Sequence, residues 1–215
     1  MYVSLLISPL AKGAFFGEFL PAAQAELHGQ LGLSGTHRRI GGLDFLDCDV
    51  SEAQLHELVR LSFVQGVFKR VDTRLEPLDI EPSFALHPDF VFGSKYRGKT
   101  NETLTQFLIN VGLQHLSGPR DKPPKLLDPM CGRGTTLLWA MRYGLTAKGI
   151  EQDERALGDL RQNIKKWCKV HRQKHQFTEG FVGRSNKQGV GRFNRFAVDG
   201  VSLQVIRGDT VDARK

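Results

Sequence analysis

The 215-residue sequence predicts a mixed α/β protein in two parts, a small α+β domain over residues 1–75 and a second α/β domain over residues 95–215. Three observations predict it. Short apolar runs suited to strands alternate with stretches whose apolar residues recur at helical spacing. A strand, a glycine-bearing turn, a helix and a second strand follow one another between Lys125 and Glu151, which makes a βαβ unit. Between the two parts, Pro77, Pro82 and Pro88 mark residues 76–94 as a linker.

In chain order, Tyr2 to Ile7 is a strand, after which Phe16, Leu20, Ala23 and Leu27 recur on one helical face. Residues 41–48 form a second strand. Ser51 and Gln54 then make a capping box ahead of Leu55, Leu58, Val59 and Phe63, the apolar face of a second helix. Residues 66–71 complete a β-α-β-α-β order. In the second part Leu104, Phe107, Leu108 and Val111 describe a helix over 101–115, entered by a loop from Lys95 to Thr100. Prolines 119, 123 and 124 break the chain before the strand Lys125 to Asp128. A helix through Leu137, Leu138 and Met141, a strand from Ala147 to Glu151, and an amphipathic helix carrying Leu157, Leu160, Ile164 and Trp167 follow. Finally, Asp199-Gly200 joins residues 192–198 to 201–207 as a tight β-hairpin.

Composition narrows the function classes. With 40% hydrophobic residues the chain can bury a sizeable core, and no run approaches the roughly 20 apolar residues a membrane span needs. Thirty Lys and Arg against 23 Asp and Glu give a net charge of +7, which favours polyanionic partners. Eleven of those bases, against only Glu179 and Asp199, fall within residues 161–207, a local charge of +9. Phe177, Phe181, Phe193 and Phe196 are interleaved there, so the stretch is read as holding phosphates and stacking bases, with Arg184, Lys187 and Arg192 as the contact residues. The same phenylalanines have a competing use as hairpin core. Cys48, Cys131 and Cys168 are far apart and lack Cys/His ligand spacing, which points away from disulfides and zinc and towards a reducing cytoplasm. The seven histidines likewise show no metal spacing, so no metal is expected. Lys12 and Glu18 interrupt the apolar start, and no signal peptide is expected.

The residues that carry chemistry lie at strand ends. Asp128 ends one strand, and Gly132 and Gly134 sit in the turn that opens the next helix, where glycine allows close backbone approach. Glu151, 23 residues later, ends the next strand, where a carboxylate can accept both hydroxyls of a ribose. Asp209, in Val205-Ile206-Arg207-Gly208-Asp209, ends the strand after that, where its carboxylate could accept from an adenine amino group. A glycine turn alone leaves nicotinamide binding open, but the usual G-x-G-x-x-G spacing is absent here. Cys131 has no base beside it in sequence and is read as packing under the loop.

Asp128 to Thr135, Asp-Pro-Met-Cys-Gly-Arg-Gly-Thr, resembles the D-P-x-C-G-x-G-T signature of the RNA methylases that often carry a THUMP domain. The likeness is good over roughly residues 90–160, acceptable at Asp209 and weak over the first 80. It implies a Rossmann-like methyltransferase domain preceded by a small ferredoxin-like unit, S-adenosylmethionine as cofactor, and a base in tRNA or rRNA, guanine N2 in particular, as acceptor. On the matching positions it implies that the loop and helix start at Thr100, Asn101, Glu102 and Thr103 close over the methionine end. Asp128, Pro129, Met130, Cys131, Gly132, Gly134 and Thr135 would form the turn against the cofactor, with Glu151 on the ribose and Asp209 on the adenine. One feature of the family is missing: no Asn/Asp-Pro-Pro-Tyr-like tetrapeptide, which receives the target amino group, occurs in residues 1–215. The expectation is therefore a cofactor-binding front part of a longer enzyme, inactive alone, with catalytic residues unassigned and an open sheet edge that favours self-association. The rival expectation is a non-catalytic RNA-binding or regulatory module that keeps the fold.

Overall fold

The protein is mixed α/β, with two five-stranded sheets and helices, and the computed structural model describes residues 1–116, 123–182 and 191–212. These residues form two compact units. The first consists of Met1–Ser83 and the residues from Thr103 to 116, and the second of Phe84–Glu102 with the described residues from 123 onward.

The first unit runs β1 (Tyr2–Ile7), α1 (Pro9–Phe15), α2 (Phe19–Leu31), β2 (Thr36–Ile40), β3 (Leu43–Asp49), α3 (Leu55–Leu58), β4 (Val64–Val71) and β5 (Arg74–Pro77). Its antiparallel sheet has the order β2-β3-β1-β4-β5. α1 begins where Ser8 caps it, its hydroxyl accepting from Leu10 N–H at 3.2 Å, with Pro9 in the first turn. It ends at Phe16, whose φ of 48° no helix can continue. The ring of Phe16 is 80% exposed, so it does not belong to the apolar face that Leu27 and Ala23 bury. Leu5, Leu27, Leu46 and Leu58 are fully buried, each contributing about 1.5–3 kcal/mol by removal from water.

Two departures from sequence expectation have local causes. Gly41 and Gly42, expected to open a strand, instead take φ of +57° and +82° as the turn between β2 and β3. β2, exposed at every residue, carries no apolar alternation by which to recognise it. The Ser51–Gln54 capping box closes in both directions, but the helix it starts stops at Leu58, short of Val59 and Phe63. A third difference concerns boundaries: the helix α5 (Glu102–Gln114), expected within the second domain, belongs to the first unit from Thr103 on. Its Asn110 donates to the buried Glu26 carboxylate at 2.6 Å and to Arg60 O at 3.1 Å.

The second unit contains α4 (Asp89–Phe92), β6 (Lys125–Asp128), α6 (Thr135–Arg142), β7 (Thr146–Glu151), α7 (Glu154–Val170), β8 (Gln176–Phe181), β9 (Arg192–Val198) and β10 (Val201–Arg207). The sheet order is β6-β7-β10-β9-β8, with β6, β7 and β10 mutually parallel and the β8–β9 pair antiparallel beside them. Asp199 and Gly200, at φ 46° and 86°, form the turn of the β9–β10 hairpin. α7 starts where Asp153 accepts from Arg155 N–H at 2.9 Å and buries Ala156, Leu157, Leu160, Ile164 and Cys168 on one face. Among the described residues no helix is long and apolar enough to cross a membrane.

Candidate functional site

Because β6, β7 and β10 run parallel, their carboxyl ends share one edge of the sheet. Asp128 is the last residue of β6, Glu151 the last of β7, and Asp209 follows β10 by two residues. Their backbones are tied together: Cys131 N–H donates to Ile150 O at 3.0 Å and Gly208 N–H to Glu151 O at 3.1 Å. The Thr210 hydroxyl donates to Pro129 O, joining the β10 end to the β6 end. Between these ends lies a groove of about 450 Å³, lined by Pro129, Met130, Ile150, Glu151, Gln152, Gly208, Asp209, Thr210 and Val211.

The carboxylates hold the loops that carry them. Glu151 accepts Gly132 N–H on one oxygen and Asp153 N–H on the other, both at 2.8 Å. A carboxylate offers about four lone-pair directions, so roughly two remain for a ligand. Asp128 accepts Met130 N–H at 3.1 Å and Asp209 accepts Val211 N–H at 2.9 Å, each bond tightening the turn just after its strand. Gly134, the N-cap of α6, has φ +77°, and a Cβ there would sit 2.9 Å from Leu160 Cδ1. Only glycine meets both conditions. Gly149 of β7 leaves no room either, since a Cβ would lie 2.7 Å from Cys131 Sγ. The Cys131 thiol is accordingly buried, which pushes its pKa up to about 12, with the charges of Asp128 and Glu151 adding to the effect. At neutral pH it is a packed thiol rather than a nucleophile. Thr135 is buried as the first residue of α6.

The loop ahead of α5 is built differently. Lys99 pairs with Glu102 at 2.6 Å and donates to Ser94 O at 2.7 Å and to Val91 O, while Trp139 Nε1–H donates to Glu102 O at 2.9 Å. Thr100 and Asn101 are exposed, and Thr103 is buried in the first unit. None of Thr100, Asn101, Glu102 and Thr103 lines the groove. The link from this loop to the glycine turn is Arg133, which donates to Arg97 O at 3.4 Å, stacks over Tyr96 with 5.2 Å to the ring centroid, and pairs with Asp159 at 2.6 Å. Arg133, Gln152 and Thr210 carry no motif of their own: the only sequence signal is the place of Arg133 between the turn glycines and of Gln152 and Thr210 beside Glu151 and Asp209.

In the basic stretch, Arg184 and Lys187 lie outside the described residues. Arg192 opens β9 and lines a pocket of about 110 Å³ with Glu154, Arg161, Asn194 and Arg207. Glu179 lies 3.3 Å from both Arg161 and Arg192, so part of the positive charge is compensated internally. Phe196 is fully buried, serving the hairpin core, whereas Phe181 is half exposed and Phe177 lies under the Arg161 guanidinium at 5.0 Å.

Fold and groove together define a mixed α/β protein whose acid-lined crevice opens at the carboxyl edge of three parallel strands. No protein-family model and no curated protein matches the chain.

Proposed function

We propose that the chain binds S-adenosylmethionine in this groove and serves as the cofactor-binding part of a methyltransferase that acts on nucleic acid, on a base in tRNA or rRNA with guanine N2 as the favoured acceptor. The observation that carries the reading is that Asp128, Glu151 and Asp209 share one sheet edge, where Glu151 and Asp209 line a groove within the usual size of small-molecule sites. The β6-α6-β7-α7 succession with β10 parallel beside β7 supports a Rossmann-like assignment, and the β4-β1-β3-β2 neighbourhood supports a ferredoxin-like one for the first unit.

The residues fit the proposed ligand. The free lone pairs of Glu151 suit two adjacent ribose hydroxyls, and Asp209, exposed at the groove, suits an exocyclic amino group. Gly132, at φ +51° and with nothing within 4 Å of where a Cβ would stand, leaves the backbone open to close approach. Asp128 and Gly134 hold the turn in that shape. When bound, the cofactor supplies an electrophilic methyl group, and the work of these side chains is binding and orientation.

Calorimetry with S-adenosylmethionine and its demethylated product tests the cofactor assignment. Binding of either supports it, and binding of a nicotinamide dinucleotide in their place overturns it. For the nucleic acid, tRNA mobility shifts at two salt concentrations should show affinity falling steeply with salt, and charge reversal at Arg184, Lys187 and Arg192 should weaken it further. Equal tRNA binding by the reversed variant would remove these residues from the interface. One second reading, a non-catalytic RNA-binding module of the same fold, is favoured by the 11 Lys and Arg against two acids within residues 161–207. RNA binding that neither cofactor compound alters would support that reading.

A further inference from the structure

Away from the groove, the second unit brings together His87, Asp89 and His171, three metal-ligating side chains with no metal spacing in the sequence. One donor atom of each lies within 4.8 Å of the other two. His171 Nε2 is 2.9 Å from Asp89 Oδ2, and His87 Nδ1 is 3.4 Å from the same oxygen. The two imidazoles stack, with ring centroids 3.7 Å apart and planes 23° from parallel. His87 Nδ1 also lies 3.2 Å from Asp89 N–H and accepts from it, which makes that nitrogen an unprotonated lone pair. It therefore faces a carboxylate oxygen with no hydrogen of its own to place between them. A cation resolves such a juxtaposition.

The geometry points to a divalent transition-metal site of the zinc class at His87, Asp89 and His171. Zinc sits about 2.0–2.2 Å from nitrogen and oxygen ligands, which places neighbouring ligand atoms roughly 3–3.5 Å apart in a tetrahedron. The two distances to Asp89 Oδ2 already fall close to that range. Completing the site requires the imidazoles to turn out of their stack so that both lone pairs meet at one point. His87 then gives up its bond from Asp89 N–H. Two imidazoles and a carboxylate suit zinc, nickel or copper, and the remaining position goes to water.

The position in the fold says what the metal does. His171 caps the C-terminal end of α7, whose N-terminal end leaves the groove after Glu151. Seventeen residues at 1.5 Å each separate the two ends by about 25 Å, so the metal takes no part in chemistry at the groove. It is a clip. It fastens the start of α4 to the end of α7 at a place where Asn163 already donates to Phe90 O at 3.3 Å and Trp167 Nε1–H to Ser94 Oγ at 3.1 Å. Trp167 also stacks beside His171, with centroids 5.9 Å apart and planes at 22°, which gives the site an optical reporter.

Zinc chloride titrated into the full chain should bind with one equivalent that is lost or weakened at least about 10-fold in His171→Gln and in Asp89→Asn, a ligand costing no less than its supporting residues do. Circular dichroism establishes that each variant is folded, and Asp89→Asn preserves shape should His171→Gln disturb packing. Added zinc should raise the melting temperature of the wild type and not of either variant. Cobalt should quench the Trp167 emission, and Trp167→Phe should abolish the quench while keeping the zinc equivalent. The same zinc isotherm for wild type and folded Asp89→Asn overturns the site. So does a cluster whose Trp167 emission responds to pH but to neither metal, which would make it a protonated ion pair.

Discussion

The acids of the two units are used in opposite ways. In the first unit Glu26 and Asp47 are buried and each accepts three donors. Glu26 receives Ser62 N–H at 2.9 Å, the Ser62 hydroxyl at 2.6 Å and Asn110 at 2.6 Å. Asp47 receives the Ser4 hydroxyl at 2.6 Å with Arg38 and Arg70 each at 2.7 Å. In the second unit Glu151 is half-buried with two backbone donors, and Asp209 is exposed with one, among the described residues. A buried acid surrounded by donors is part of the scaffold, because its solvation has been replaced entirely from within the protein. An acid at a groove with acceptor capacity left over is free to accept from a ligand.

The largest test of that contrast is Glu26→Ala. It leaves the Ser62 and Asn110 donors in the core without an acceptor, at about 1–3 kcal/mol for each unsatisfied group, so urea denaturation should show a loss of about 3 kcal/mol or more. A loss under about 1 kcal/mol would show the network to be ornamental. Glu151→Ala should do the reverse, weakening the proposed S-adenosylmethionine binding by about 1.5–3 kcal/mol, or roughly 10-fold to 150-fold, with a smaller effect on unfolding. An unfolding loss that matches that of Glu26→Ala would place Glu151 with the scaffold acids.

A finer test uses pH. Burial holds the Glu26 carboxyl above its ordinary value of 4.5, against the lowering effect of its hydrogen bonds to Asn110 and Ser62. The folded state thus keeps the proton more tightly than the unfolded one. The stability this gives is full below pH 4.5 and is lost as pH rises from there through the folded value. Melting curves of wild type should show that decline, and Glu26→Gln should lack it. Parallel profiles would mean that Glu26 does not titrate in this window. The smallest expected effect is at the thiols: burial raises Cys48 and Cys168 to about 11 and Cys131 to about 12, so a thiol reagent at pH 8 should label the native chain only as fast as it opens. Rapid labelling of one cysteine would expose an open path to the turn beneath the groove.

What was legible in the sequence followed the strength of local signals. The strand at Lys125–Asp128 and the hairpin arms Arg192–Val198 and Val201–Arg207 coincide with the observed spans, because apolar runs are bounded by prolines or by Asp-Gly there. β2, β5 and β8 went unseen, being polar or short, and pairing alone makes them strands. The strand-end acids could be found because strand, turn and helix succeed one another within a few residues. The ties among them could not, since Thr210 to Pro129 spans 81 residues. The His87, Asp89 and His171 cluster was invisible for the same reason, its two halves being 82 residues apart.

The division of the chain between its units has a consequence for the order of synthesis. The first unit is interrupted by residues 84–102 and resumes at Thr103, and Asn110, which completes the Glu26 network, lies 84 residues downstream of its partner. At 5–20 residues per second a ribosome needs about 4–17 s to add that length. Until then Glu26 has only its Ser62 donors, and the surface that α5 later covers is open to chaperones. A nascent chain arrested after Ser83 should therefore be protease-sensitive and become resistant only once residues beyond Gln114 have cleared the exit tunnel.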